Sequence, residues 1–124
     1  MARPGDPAAL LNGVQELVDA VLAAEVIGRW PQAELTALVS YLHAEVLPRA
    51  QQEEREVFTG RPSSSRIAQL RRDHRRLGEA TEVLARAARG EGNRSVAHVS
   101  TTARSLVSQL DRHLASEHEV LTLA

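Results

Sequence analysis

Five ionisable residues stand where the helical spacing of their neighbours asks for aliphatic side chains: Arg49, Glu53, His74, His113 and Glu117. Arg49 and Glu53 are four apart, as are His113 and Glu117, so each pair leaves one face of a helix. Burying any of them alone is costly, and they therefore need one another or a ligand. Two carboxylates and two imidazoles on neighbouring helices make a four-ligand site for iron, manganese or zinc. The same residues also allow a metal-free arrangement, with Arg49 bridging Glu53 and Glu117 and the imidazoles completing the hydrogen bonds. Two carboxylates against one guanidinium leave one negative charge, which one protonated histidine neutralises and which a divalent ion takes to +1, or to zero with one bound hydroxide. Charge leaves both arrangements open.

The elements that must position these residues are helical. Breakers fall at Gly5 to Pro7, Gly28 to Pro31, Gly60 to Ser65 and Gly90 to Asn93, and the segments between them are rich in Ala, Leu, Arg, Glu and Gln. The spacing predicts helices over about 7–27, 31–58, 65–89 and 95–123, joined by short loops. Asp6 and Pro7 start the first, Pro31 opens the second, and Ser63 to Ser65 cap the third. The apolar stripes read Leu10, Val14, Leu17, Val21; then Leu35, Leu38, Leu42, Val46; then Ile67, Leu70, Leu77, Leu84; then Val99, Ala103, Leu106, Leu110. All but the first are interrupted by the ionisable residues above. The expected fold class is all-α, an up-down-up-down four-helix bundle forming a single domain over 1–124. Pro48 lies beside the polar group and should bend the second helix, because it removes a donor and frees the carbonyl of Ala44.

Composition narrows the chemistry. The 124 residues contain no cysteine, which excludes disulfides, thiolate zinc sites, iron–sulfur clusters and thiol catalysis, so a metal must sit on nitrogen and oxygen. Fifteen basic residues, all arginine, face sixteen acidic ones, and the formal charge of −1 offers no global attraction for nucleic acid. The absence of lysine excludes Schiff-base chemistry. Three aromatic residues, Trp30, Tyr41 and Phe58, cannot build a base-stacking platform. No apolar run approaches a membrane span and no secretory leader pattern opens the chain, so a cytoplasmic location is expected. Helix three carries a basic run at Arg71, Arg72, Arg75 and Arg76, read as pairing with the acidic second helix across the surface. His43 is read as a surface residue, His98 as structural, Trp30 as a plug at the bundle end, and Gly78 as either permitting close helix approach or leaving room near the site.

Three stretches, "YLHAEVLPRAQQEEREVF", "LRRDHRRL" and "LDRHLASEHEVL", occur in this order on the expected bundle. In them the chain resembles the haemerythrin-like (HHE cation-binding) family. That resemblance implies a non-haem iron centre, with His-x3-Glu after a Leu-Pro in the second helix, Asp-His in the third and His-x3-Glu in the fourth. It assigns Glu53, His74, His113 and Glu117 as metal ligands; His118, beside the stripe next to Glu117, is read separately as either an additional ligand or a helix-flank residue facing Glu119 or solvent. Arg49 stands where the second-helix histidine is expected and the first helix has no histidine, so the ligand set is degenerate and the di-iron site incomplete.

The functional expectation is an iron-binding protein, mononuclear or partly di-iron, that senses or handles oxygen, peroxide or nitric oxide. A small diatomic or peroxide ligand would then be its partner. Arg49 would either replace a metal or hydrogen-bond a bound anion. Two alternatives stay open: a metal-free regulatory bundle that dimerises or binds a protein partner, and an enzyme with a repurposed, haem-holding pocket. Neither nucleic acid nor a membrane is expected as a partner.

Overall fold

Leucine, valine and alanine recurring three and four residues apart, among residues that favour helix, produce four antiparallel rods whose apolar faces meet. The computed structural model describes residues 7–55, 65–91 and 95–122, with the side chains of Arg66 and of 117–122 outside the description. The first rod is α1 (Pro7–Val26). The second comprises α2 (Gln32–Tyr41), a π-helical turn (Leu42–Val46) and α3 (Leu47–Glu53). The third is α4 (Ser65–Ala88) and the fourth α5 (Val96–Thr122). There is no strand among the described residues. The all-α bundle expected from the stripes is therefore present.

The rods form a ring, with α1 between α2 and α5, and α4 between α5 and the second rod. Their shared core contains Leu35, Leu38, Leu42, Leu77, Leu84, Leu106 and Leu110, all buried. One stripe is shifted: Val18 is buried on α1, whereas Leu17 is only partly so. An i, i+4 path through Leu10, Val14 and Val18 faces the core on this helix, and Leu17 packs at its edge.

Local chemistry closes the first and third rods and opens the second. Gly28 and Gly90 take positive φ angles of 69° and 79°. Each ends its helix with a backbone bond reaching back five residues, Arg29 N–H to the Ala24 carbonyl and Glu91 N–H to the Arg86 carbonyl. Pro31 caps α2 rather than forming its first turn, its carbonyl accepting from Leu35 N–H at 2.8 Å. The bend expected at Pro48 appears as the π turn just before it, where Leu47 N–H reaches the Leu42 carbonyl. Widening that turn accommodates a residue that can neither donate at position 48 nor tolerate a tight preceding turn. The predicted continuation of this helix to residue 58 lies outside the described residues past 55.

Candidate metal centre

Beyond the π turn, α3 turns Ala50 and Glu53 inward and leaves Arg49 part-buried beside them. Glu53 meets His74 from the first half of α4 and His113 from the second half of α5, all three buried. Antiparallel rods explain the meeting: the end of the second, the beginning of the third and the later part of the fourth share one level of the bundle. One potential ligand atom from each residue lies within 4.8 Å of the other two.

The donors are oriented as well as gathered. The Nε2 atoms of His74 and His113 are 2.8 Å apart, with ring centroids 4.4 Å apart and planes tilted by 58°. Glu53 Oε2 lies 3.5 Å from the first Nε2 and 3.7 Å from the second. Glu53 Oε1 accepts from Arg49 Nε at 3.0 Å, so one carboxylate oxygen serves the guanidinium and the other faces the imidazoles. Each ring is backed by a second carboxylate: His74 Nδ1 is 3.0 Å from Glu54 Oε1, and His113 Nδ1 is 3.6 Å from Asp73 Oδ2. A proton kept on each Nδ1 leaves the Nε2 lone pairs for the centre, the tautomer a metal-ligating histidine needs.

Two Nε2 lone pairs cannot face each other at this distance with nothing between them. Either a proton or a cation must sit there. Burial pulls His74 toward its neutral form, but hydrogen bonds to Glu53 and Glu54 and their negative charges outweigh it and hold its pKa above the ordinary imidazole value. A protonated His74 donates from Nδ1 to Glu54 and from Nε2 to His113, which relieves the facing lone pairs without a metal, while Glu53 Oε2 and His113 Nδ1 are left without a hydrogen bond among the described residues. A metal ion fits the same donors. Ligand atoms bound at about 2.1 Å to one ion stand about 3.0–3.4 Å apart, and the three separations of 2.8, 3.5 and 3.7 Å straddle that range. Two imidazoles and one carboxylate suit iron, manganese or zinc.

Across residues 8–122 the sequence matches the family described as Hemerythrin HHE cation binding domain. The chain belongs to that family. No curated protein and no solved structure matches it. Membership in the HHE family implies metal binding, and the buried Glu53, His74 and His113 are a group able to hold the ion.

Of the residues singled out from sequence, the structure brings Arg49, Glu53, His74 and His113 together in this HHE bundle. Glu117 and His118 lie on α5, but their side chains fall outside the described residues. The inner face of α1 is apolar: Leu10, Val14, Val18, Val21 and Ala24. His43 is exposed, as expected. His98 is also exposed, serving the α5 start through its backbone N–H to Ser95 Oγ. Trp30 packs against the core at the bundle end and donates to Gln32 Oε1 at 3.1 Å. Gly78 leaves open space, and a cleft of about 260 Å³ runs past it to His74, bordered by Leu47, Ala50, Gln51, Glu54 and Arg75.

Sequence reasoning missed two contributors, Glu54 and the role of Asp73. Each is the chain neighbour of a buried residue, Glu53 or His74, and each crosses to an imidazole on the adjacent rod. A carboxylate directly beside each inward-facing residue was the available signal.

Proposed function

We propose that this HHE domain binds one non-haem iron ion at Glu53, His74 and His113, with Glu117 and His118 as further donors from α5, and that it senses or handles oxygen, peroxide or nitric oxide. The observation that supports this most is the facing pair of buried Nε2 atoms, each ring held from behind by a carboxylate. When bound, the iron would supply a redox-active Lewis acid able to take a small ligand in an open position.

The remaining work falls to the protein. Glu53 supplies negative charge to the centre through Oε2 while Arg49 fixes the carboxylate through Oε1. Glu54 and Asp73 orient the imidazoles. The apolar inner face of α1 excludes water from one side, and the cleft beside Gly78 supplies an approach to His74 on another. Arg49 already occupies one oxygen of Glu53, which favours one metal over two at this position, because a second cation would meet a fixed positive charge.

The Arg49–Glu53 pair also supports the second reading, a metal-free bundle acting through partner contacts, since a protonated His74 relieves the facing lone pairs without a metal. Metal analysis with visible spectra separates the readings. Stoichiometric non-haem iron after anaerobic loading, lost in the His74→Ala and His113→Ala variants, supports the first. Protein that retains no transition metal after loading and desalting contradicts it, and a Soret band would indicate haem.

A further inference from the structure

Among the described residues, the basic run of α4 does not form the expected surface pairs with the second rod. The exposed ion pairs lie elsewhere, Arg29 with Glu34, Arg86 and Arg89 with Glu82, and Arg104 with Glu25. Arg71, Arg75 and Arg76 meet no carboxylate among the described residues, and Arg72 donates to Gln69 Oε1 at 2.9 Å, a neutral acceptor on its own helix.

Three of these guanidiniums surround a cavity. Ala68, Arg71, Arg72 and Arg75 occupy positions i, i+3, i+4 and i+7 of α4, which is one helix face. The small Ala68 side chain leaves a cleft of about 360 Å³, bordered by the three arginines and by Glu54 from the second rod. Like charges three and four apart weaken a helix, so the arrangement costs stability unless an anion joins it. Three guanidiniums against one carboxylate leave a local charge of +2 on a protein whose formal charge is −1. Glu54 is moreover engaged by His74 Nδ1. We propose that the cleft formed by Ala68, Arg71, Arg72 and Arg75, with Glu54 at its rim, binds a phosphate-class oxyanion. Guanidinium forks match such an anion because they offer paired N–H donors in a plane, and a dianion balances the local charge. The site is separate from the ligand donors and does not require a metal.

The test is a titration of the chelator-treated protein with inorganic phosphate and pyrophosphate, against chloride at matched ionic strength, followed by thermal melting and by the His74 ring signals in NMR. Saturable stabilisation by the oxyanions is expected, with a shift of the His74 signals transmitted through Glu54. The Arg71→Gln/Arg75→Gln double variant should bind about tenfold or more weakly, the loss expected for removing charge-assisted hydrogen bonds. Without anion that variant should melt no lower than the parent, because repulsion has been relieved, so a lost response is not a folding defect. Arg86→Gln, away from the cleft, should keep the full response. A response to oxyanions no larger than to chloride, or one unchanged in the double variant, overturns the proposal. Co-sedimentation with phosphatidylcholine vesicles containing phosphatidic acid identifies the source: arginine-dependent sedimentation points to a lipid headgroup, and response to the free anions alone points to a soluble phosphate compound.

Discussion

The Nε2 atoms of His74 and His113 face each other at 2.8 Å, while each Nδ1 turns to a carboxylate on a neighbouring rod, Glu54 for the first ring and Asp73 for the second. The hydrogen bond at 3.0 Å fixes the His74 tautomer from outside the centre, and Asp73, at 3.6 Å from the His113 ring, supplies a nearby negative charge that favours the same tautomer there. This makes the backing carboxylates a sharper test of metal binding than the ligands themselves, whose loss would disturb the core as well.

Glu54→Gln and Asp73→Asn should each weaken metal binding by about 10–100-fold, the cost commonly found when the partner of a metal-bound histidine is replaced. Titration of the variants with zinc or ferrous ion against a competing chelator measures this. Both side chains reach the surface and retain an acceptor oxygen, so at alkaline pH, where His74 is neutral, the thermal midpoint of metal-free protein should move little. Undiminished affinity in both would show that the carboxylates are incidental neighbours.

The pKa of His74 carries a direction for stability. It is raised by its bonds to Glu53 and Glu54 against the opposing effect of burial. In metal-free protein its contribution should therefore be fully present below the unfolded imidazole pKa of about 6.5, and be lost as pH rises through the higher folded value. Urea unfolding across mildly acidic to mildly alkaline pH should show this decline, and His74→Gln should flatten it. Metal affinity should run the other way, rising with pH as the ion displaces the proton.

How much of this was visible in the chain depends on what a stripe can encode. Spacing within one helix identifies Leu35, Leu38, Leu42 and Val46 as core, and it marks Glu53, His74 and His113 as ionisable residues on inward faces, where they are indeed buried. It says nothing about the register between rods. Glu54 and Asp73 were therefore hidden, because their importance lies in which ring they reach across a helix boundary. The same limit applies to Arg71, Arg72 and Arg75 of α4: composition suggests that an acidic helix beside a basic one will pair with it, but among the described residues these three form no ion pair with it and border a cleft. Pro48 announced a distortion without its form, since a kink and a π turn both relieve a proline.

Arg49 and the metal compete for the same carboxylate charge. Arg49→Met should cost metal-free protein about 1–2 kcal/mol, because Glu53 is buried and loses a charge-assisted hydrogen bond. With metal bound the cost should shrink, since the cation now faces Glu53, and affinity should increase over the parent. Denaturant melts with and without zinc give both quantities. Lower affinity in the variant would instead show that Arg49 holds Glu53 in its binding orientation.

Two glycines should respond oppositely to the same added methyl group. A Cβ at Gly13 would press into the hydroxyl end of the Tyr41 ring, whereas one at Gly78 meets nothing within 4 Å. Gly13→Ala should therefore destabilise the bundle by about 1–3 kcal/mol through overpacking, and part of that loss should be recovered when Tyr41→Leu removes the obstructing ring. Gly78→Ala should stabilise by about 0.5–1 kcal/mol, the usual gain from replacing an interior helical glycine. Because Gly78 borders the cleft leading to His74, a larger residue there separates stability from access. Gly78→Leu should slow metal uptake, followed by stopped-flow with a chromogenic chelator, while leaving the equilibrium affinity near that of the parent. Uptake at the parental rate would place the route to the centre elsewhere on the bundle.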